Sequence, residues 1–327
     1  MSFNIRIKSN PQLVLKNDGD DSLLETLRKA GIEVPTSCEN GVCATCKGKI
    51  YQGEVSYPHT QPSGLMPDEE ANHEALFCCA HPRSDCLIDH PELLLPGEYP
   101  ARFFKLVLIQ TRPINPHVTA YKFKTESPVP FKFLAGQYIE LILKNHRYPL
   151  SIVTSPEDYL KTLELEIHIV QSDLTQENKL KTALENPEKI MLYGPKGRAY
   201  LRKNLPGDLV FLAGGSGITP MLSIIPEALK NFKNSNSTQQ VYLYWGARSP
   251  ELLYAVDLIK TWQKEFQNFH FVPVLNTPVH TVLLGHFEKF SQPSIFMAGP
   301  PAMVQAAQTG LLAKNLPNEN IFGDGLF

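Results

Sequence analysis

The stretch Pro35-Thr36-Ser37-Cys38-Glu39-Asn40-Gly41-Val42-Cys43-Ala44-Thr45-Cys46 holds three of the chain's six cysteines, separated by four and then two residues. Cys78 follows, with 31 residues between it and Cys46. Four thiolates at this spacing suit a cluster of two irons bridged by two sulfides, and the small residues Gly41, Ala44 and Thr45 let backbone amides approach the sulfurs. Cys79 and Cys86 compete for the fourth position, and a zinc site or four buried packing thiols are the other uses of such a set. All six cysteines lie between residues 38 and 86 of a 327-residue chain, too clustered for a disulfide framework, which points to metal in a reducing compartment.

Around that loop, residues 3 to 7 and 12 to 15 read as a short hairpin, and Leu23, Leu24 and Leu27 give Ser22 to Ala30 one apolar helix face. The segment His90-Pro91 through Pro96-Gly97-Glu98-Tyr99-Pro100 reads as a linker. Strand-like runs then follow at Phe103 to Gln110, Val118 to Lys124, Tyr138 to Leu143, Leu163 to Val170 and Lys189 to Tyr193, the pattern of an antiparallel barrel. After Pro206-Gly207-Asp208, apolar strands at Leu209 to Ala213 and Val241 to Trp245 alternate with helical stretches such as Met221 to Phe232, the pattern of a parallel α/β domain. Asn231 to Ser237 reads as a loop between helix and strand. The expected architecture is multidomain: an α+β domain over 1–95, an antiparallel β-barrel over 100–205, and an α/β parallel-sheet nucleotide domain over 206–327.

A formal net charge of −2 gives the whole chain no electrostatic reason to seek nucleic acid or an anionic membrane. The charge is uneven. Residues 1 to 95 hold 8 Lys/Arg against 14 Asp/Glu, a net of −6, which leaves +4 for the remainder. No run approaches the 18 or so apolar residues of a membrane span, and Met1-Ser2-Phe3-Asn4-Ile5-Arg6-Ile7-Lys8 is no signal sequence, so a cytoplasmic protein without a membrane span is expected.

Residues 1 to about 92 resemble plant-type ferredoxins, both in the loop quoted above and in Phe77-Cys78-Cys79-Ala80. The resemblance implies a β-grasp domain whose [2Fe–2S] cluster is held by Cys38, Cys43, Cys46 and Cys78, leaving Cys79 and Cys86 as packing residues.

Val210-Phe211-Leu212-Ala213-Gly214-Gly215-Ser216-Gly217-Ile218-Thr219-Pro220 is an apolar strand running into a glycine turn and a helix, a place where a pyrophosphate sits on helix N–H groups. With Tyr242 to Arg248 and Phe296-Met297-Ala298-Gly299-Pro300-Pro301, it resembles the pyridine-nucleotide domain of the ferredoxin reductase superfamily. The resemblance implies that Gly214, Gly215, Gly217, Thr219, Pro220 and Gly299 bind NADH or NADPH. Arg248 is a candidate for the ribose side, without deciding between the two nucleotides. Many relatives have Cys where this chain has Ala298.

Residues 101 to 205 resemble the superfamily's flavin barrel in Phe133-Leu134-Ala135-Gly136-Gln137-Tyr138 and in His146-Arg147-Tyr148-Pro149-Leu150-Ser151. The implied cofactor is FAD, with FMN as the alternative, contacted by Gln137, Tyr138, Arg147, Tyr148, Leu150, Ser151 and His168. The usual Arg, any residue, aromatic, Ser/Thr motif is altered: Leu150 stands at the aromatic position and Arg147 is one residue early. The Gly-Ser/Thr element that meets the flavin pyrophosphate is missing from Gln171 to Leu184. In this the chain is similar to flavin reductases of the same superfamily, and it ends like them in Phe322-Gly323-Asp324-Gly325-Leu326-Phe327. That likeness implies Phe322 near the flavin ring and a catalytic role for Asp324 beside Ser151.

Nicotinamide gives two electrons together as hydride and a [2Fe–2S] cluster takes one, so a carrier that does both must stand between them, and flavin is such a carrier. The expected activity is an NAD(P)H-dependent reductase that passes electrons through flavin and cluster to an acceptor protein. A deoxysugar dehydrase partner ranks first and an oxygenase component second, with the reductase a monomer. The competing readings are an NAD(P)H:flavin reductase that releases reduced flavin, and a non-enzymatic redox-sensing module.

Overall fold

The computed structural model describes residues 2–59, 61–127, 129–144, 146–170, 175–185, 189–202, 205, 207–235 and 238–323. The chain divides into two compact units, Met1–Pro100 and Ala101–Phe327.

The first unit contains β1 (Phe3–Ile7), β2 (Asn10–Asn17), α1 (Leu23–Lys29), β3 (Lys47–Gln52), β4 (Val55–Ser56), α2 (Pro67–Ala71), β5 (Glu74–Leu76), β6 (His81–Pro82) and β7 (Cys86–Asp89). Its main sheet runs β2-β1-β7-β3-β5, with β1 and β7 parallel and the other pairs antiparallel. Helix α1 starts where Ser22 caps it: the Glu25 N–H donates to Ser22 Oγ at 3.2 Å, and the Ser22 N–H donates to Glu25 Oε2 at 2.8 Å. Leu23, Leu24 and Leu27 on its inner face are buried against Ile5, Ile7, Phe77 and Ile88, closing the core behind the cysteine loop.

The second unit begins with a six-stranded antiparallel sheet in the order β11-β10-β13-β8-β9-β12. Its strands are β8 (Arg102–Asn115), β9 (Val118–Glu126), β10 (Tyr138–Leu143), β11 (His146–Ser151), β12 (Glu164–Val170) and β13 (Ile190–Lys196), with α3 (Pro156–Thr162) and α4 (Thr175–Glu185) between them. The edges β11 and β12 approach at one end, where the Val153 N–H donates to the Glu166 carbonyl at 3.0 Å. Beyond the barrel come β14 (Leu209–Gly214), α5 (Ile218–Ser235), β15 (Val241–Ala247), α6 (Val256–Glu265), β16 (Phe269–Leu275), α7 (Val279–Gly285), β17 (Ser294–Ala298), α8 (Pro301–Ala313) and β18 (Ile321–Gly323). These strands form an all-parallel sheet in the order β16-β15-β14-β17-β18. The order reverses between β14 and β17, so the crevice outside their carboxyl ends is where such a sheet binds a ligand.

Local readings needed correction in two places. Residues Asn231 to Ser235, read as loop, continue α5, because Phe232 still packs on the core formed by Ile224, Ile225, Ala228 and Leu229. Leu163, read as the start of a strand, is the left-handed cap of α3 at φ 58°, and the strand starts at Glu164.

Candidate functional site

The cysteine loop has no regular secondary structure between Val34 and Lys47 apart from turns, and its backbone curls by entering the left-handed region at Glu39, Gly41 and Ala44. Gly41 is required there: a Cβ would lie 2.9 Å from Cys79 Sγ and 3.1 Å from Pro62 Cα. The curl turns donors toward sulfur. The Cys43 N–H donates to Cys38 Sγ at 3.3 Å, and Thr45 Oγ1 lies 3.1 Å from Cys43 Sγ. The second arm is tied on by the Phe77 N–H, which donates to the Cys46 carbonyl at 3.2 Å and so brings Cys78 alongside.

Cys43 is the exposed member of the quartet, Cys38 and Cys78 are half-buried, and Cys46 is buried. The Thr45 hydroxyl, together with backbone N–H donors, holds the Cys43 thiol down at about 6, whereas burial pushes Cys46 up to about 12. Burial likewise pushes Cys79 up to about 12 and Cys86 up to about 11. Among the described residues no three His, Cys, Asp or Glu side chains converge as on one ion. A mononuclear zinc site needs such convergence, but a two-iron cluster takes only two thiolates per iron, so an all-sulfur set spread over a wrapped loop fits it. Cys86 lies in β7 with its Sγ 3.3 Å from the Ser84 carbonyl, in a packing position, while Cys79 Sγ sits 3.5 Å from Cys78 Sγ.

The second site lies at the reversal point of the parallel sheet. Strand β14 ends at Gly214, and the turn Gly215–Gly217 leads straight into α5. Gly217 passes so close to β17 that a Cβ would lie 2.0 Å from the Ala298 carbonyl oxygen. The Thr219 hydroxyl donates to the Ser216 carbonyl at 2.8 Å and stiffens the turn. A cleft of about 460 Å³ opens here, with Gly217, Thr219, Pro220, Ala298 and Gly299 on one wall and Tyr138, Leu150, Ser151 and His168 of the barrel on the other. A larger groove of about 1130 Å³ lies beyond His168, but it contains neither the glycine turn nor the start of α5.

The barrel wall follows from register. Tyr138 pairs with Ser151, so the two share a face, and Arg147 lies on that face four pairs further along, about 13 Å from Ser151 at strand rise. Arg147 does not line the cleft. Its guanidinium donates to Glu140 at 2.7 Å and lies 5.7 Å from the centre of the Tyr193 ring. Tyr148, read as a cofactor contact, points to the opposite face and is buried in the barrel core, because side chains alternate along a strand. Gln137 is committed to its own turn: its Oε1 accepts from the Leu134 N–H at 2.8 Å, and its Nε2 donates to the Gly197 carbonyl at 3.1 Å.

Both His168 ring nitrogens are occupied, Nε2 by Glu166 Oε1 at 2.8 Å and Nδ1 by the Tyr254 hydroxyl at 3.0 Å, so neither is left to bond a ligand. Arg248 is exposed one residue past the carboxyl end of β15. Phe322 is buried, stacked on Phe296 at 4.8 Å with the Arg202 guanidinium 4.5 Å from its ring centre, and it does not line the cleft. Asp324 lies outside the described residues, as do Gln171 to Leu174, where the flavin pyrophosphate element would begin.

One cation escaped the sequence reading. Lys196 pairs in register with Tyr138, with its ammonium 6.0 Å from that ring's centre and bonded to Glu140. Its position in Gly194-Pro195-Lys196-Gly197, at the end of β13, was the available signal.

Each unit matches a known protein domain. Residues 5–83 match the 2Fe-2S iron-sulfur cluster binding domain, and residues 211–309 match the oxidoreductase NAD-binding domain. The reductase component DmpP of phenol 2-monooxygenase from Pseudomonas sp. (strain CF600) is 29% identical, over 98% of this chain and 94% of that protein. The CDP-6-deoxy-L-threo-D-glycero-4-hexulose-3-dehydrase reductase of Yersinia pestis is 27% identical, over 99% of this chain and 98% of that one. Among solved structures, the Amycolatopsis cytochrome P450 reductase GcoB superposes with a TM-score of 0.64 at 23% identity, covering 98% of both chains. The ferredoxin reductase in carbazole 1,9a-dioxygenase gives 0.59 at 21% identity, covering 100% of this chain and 99% of that one. The chain is thus an oxidoreductase that joins a 2Fe-2S iron-sulfur cluster binding domain to an NAD-binding domain.

Proposed function

We propose that the protein is the NAD(P)H-dependent reductase of a multi-protein system, taking hydride in the cleft of the second unit and delivering single electrons through its cluster to an acceptor protein. One observation carries the reading: Ser151 and Tyr138 of the barrel face Gly217, Thr219 and Gly299 of the parallel sheet across one cleft, so two ligands can meet there. The turn at Gly215–Gly217 and the first turn of α5 hold the nucleotide pyrophosphate. Ser151 hydrogen-bonds the flavin and Tyr138 lines its ring, with Leu150 beside them. Flavin, preferentially FAD, supplies the exchange between hydride and single electrons. Cys38, Cys43, Cys46 and Cys78 hold the cluster, with Cys43 at its exposed edge.

The acceptor is a protein of the kind that the reductases of phenol 2-monooxygenase and of the CDP-hexulose dehydrase serve, an oxygenase or a dehydrase component. One copy of the chain carries every residue of both sites, which supports a monomer. Among the described residues no helix is long and apolar enough to cross a membrane, and the free clustered cysteines support a place in the cytoplasm.

A second reading, an NAD(P)H:flavin reductase, is favoured by one feature. Arg147, expected to contact the flavin, is engaged by Glu140 outside the cleft. Counting iron and flavin after desalting separates the two. Two irons with one retained flavin support the reductase component, whereas two irons without flavin, with NADH turnover only on added FAD or FMN, support the flavin reductase.

A further inference from the structure

Five groups form a continuous chain from the barrel to the glycine turn of the cleft. The Glu166 carboxylate, also paired with Arg112 at 3.3 Å, accepts from His168 Nε2–H at 2.8 Å. The other ring nitrogen, Nδ1, is hydrogen-bonded to the Tyr254 hydroxyl at 3.0 Å. Burial raises the Tyr254 hydroxyl further above the ordinary phenol range and keeps it a donor. The Tyr254 ring stands edge-on to Trp245, centroids 5.6 Å apart at 89°, and the Trp245 indole N–H donates to the Gly215 carbonyl at 3.0 Å.

The last contact fixes a peptide plane. Gly215 is in the left-handed region at φ 55° and is exposed, and its carbonyl accepts from the Ile218 N–H within the turn as well as from the indole. Its carbonyl is drawn toward the fully buried Trp245, and in a planar trans peptide the Ser216 N–H must then point the opposite way, toward the ligand side of the turn. A donor so aimed serves an anionic pyrophosphate.

We propose that Tyr254 is a positioning residue for nicotinamide nucleotide: through Trp245 and Gly215 it holds the pyrophosphate turn in register with the barrel wall that carries Ser151. The proposal rests on reading the cleft as the nucleotide site. Tyr254 itself does not line that cleft, so its influence is indirect. The barrel and the sheet are also tied by Asn115 Nδ2 donating to the Glu251 carbonyl at 2.7 Å and by Ser223 Oγ donating to the Thr154 carbonyl at 3.2 Å, so severing the Tyr254 link leaves them docked.

The test compares wild type, Tyr254→Phe and Trp245→Phe as holoproteins with matched iron and flavin content. NADH and NAD⁺ affinity is read by calorimetry, and KM and kcat by ferricyanide reduction. The loss of one hydrogen bond in the chain is expected to weaken NADH binding and raise KM about threefold to tenfold, with kcat unchanged. Trp245→Phe removes the donor to the Gly215 carbonyl from the turn side and gives the same shift, and combining it with Tyr254→Phe adds nothing. NADH affinity equal to wild type in both variants, or a loss confined to kcat, overturns the proposal. Wild type that binds neither NADH nor NADPH overturns instead the reading of the cleft on which it rests.

Discussion

The hydroxyl of Thr45 lies 3.1 Å from the sulfur of Cys43, the most exposed of the four cluster-loop thiols. A donor on a ligating sulfur favours the more negative, reduced form of the cluster. Thr45→Val removes the donor at nearly constant shape, so the cluster midpoint potential becomes more negative in an electron paramagnetic resonance titration, and Thr45→Ser restores it. An unchanged potential in Thr45→Val means that the hydroxyl does not act on the cluster.

The glycine turn tolerates no side chain at Gly217, where a Cβ would meet the Ala298 carbonyl at 2.0 Å. Gly217→Ala must push α5 away from β17, and NADH binding falls at least tenfold by calorimetry while the cluster's visible spectrum is retained. Wild-type affinity would show that the turn is not the nucleotide site.

Glu166 supplies a pH dependence. The hydrogen bond from His168 holds its carboxyl below the ordinary carboxylate range, against the opposing effect of burial. A depressed folded value adds stability above the unfolded pKa of about 4.3, and that stability is lost as pH falls through the lower folded value. Melting temperature therefore falls more steeply below about pH 4.5 in wild type than in Glu166→Gln. Parallel curves for the two proteins would mean that the His168 bond does not stabilise the folded chain.

The cysteine loop was legible because its chemistry is local: the spacing of three thiols and the small residues between them are written within one short segment, and the structure curls that segment at Glu39, Gly41 and Ala44. The parallel sheet was legible for a similar reason, since the apolar strand Leu209–Gly214 and its glycine turn are adjacent in the chain. The barrel wall was harder. Whether Arg147 or Tyr148 faces the cleft depends on the pairing of Tyr138 with Ser151, and a shift of one residue would exchange their faces. His168 was read as a cofactor contact, but its partner Tyr254 lies 86 residues away, and no local pattern announces a bond of that separation.

The acidic balance of residues 1 to 95, a net of −6, steers a positively charged acceptor toward the cluster domain. Reduction of cytochrome c, a basic stand-in for the partner, slows several-fold between about 0.02 and 0.5 M salt, while ferricyanide reduction does not slow. A salt-independent cytochrome c rate removes charge as the guide.

The central claim is that electrons from NAD(P)H leave through the cluster. Anaerobic addition of NADH to the flavin-loaded protein, followed by low-temperature electron paramagnetic resonance, tests it most directly. The account predicts one reduced [2Fe–2S] signal per chain, absent in Cys43→Ser, with loss of cytochrome c reduction in that variant and retention of ferricyanide reduction. Oxidation of NADH or NADPH with the cluster left oxidised, or cytochrome c reduction that persists in Cys43→Ser, would contradict it.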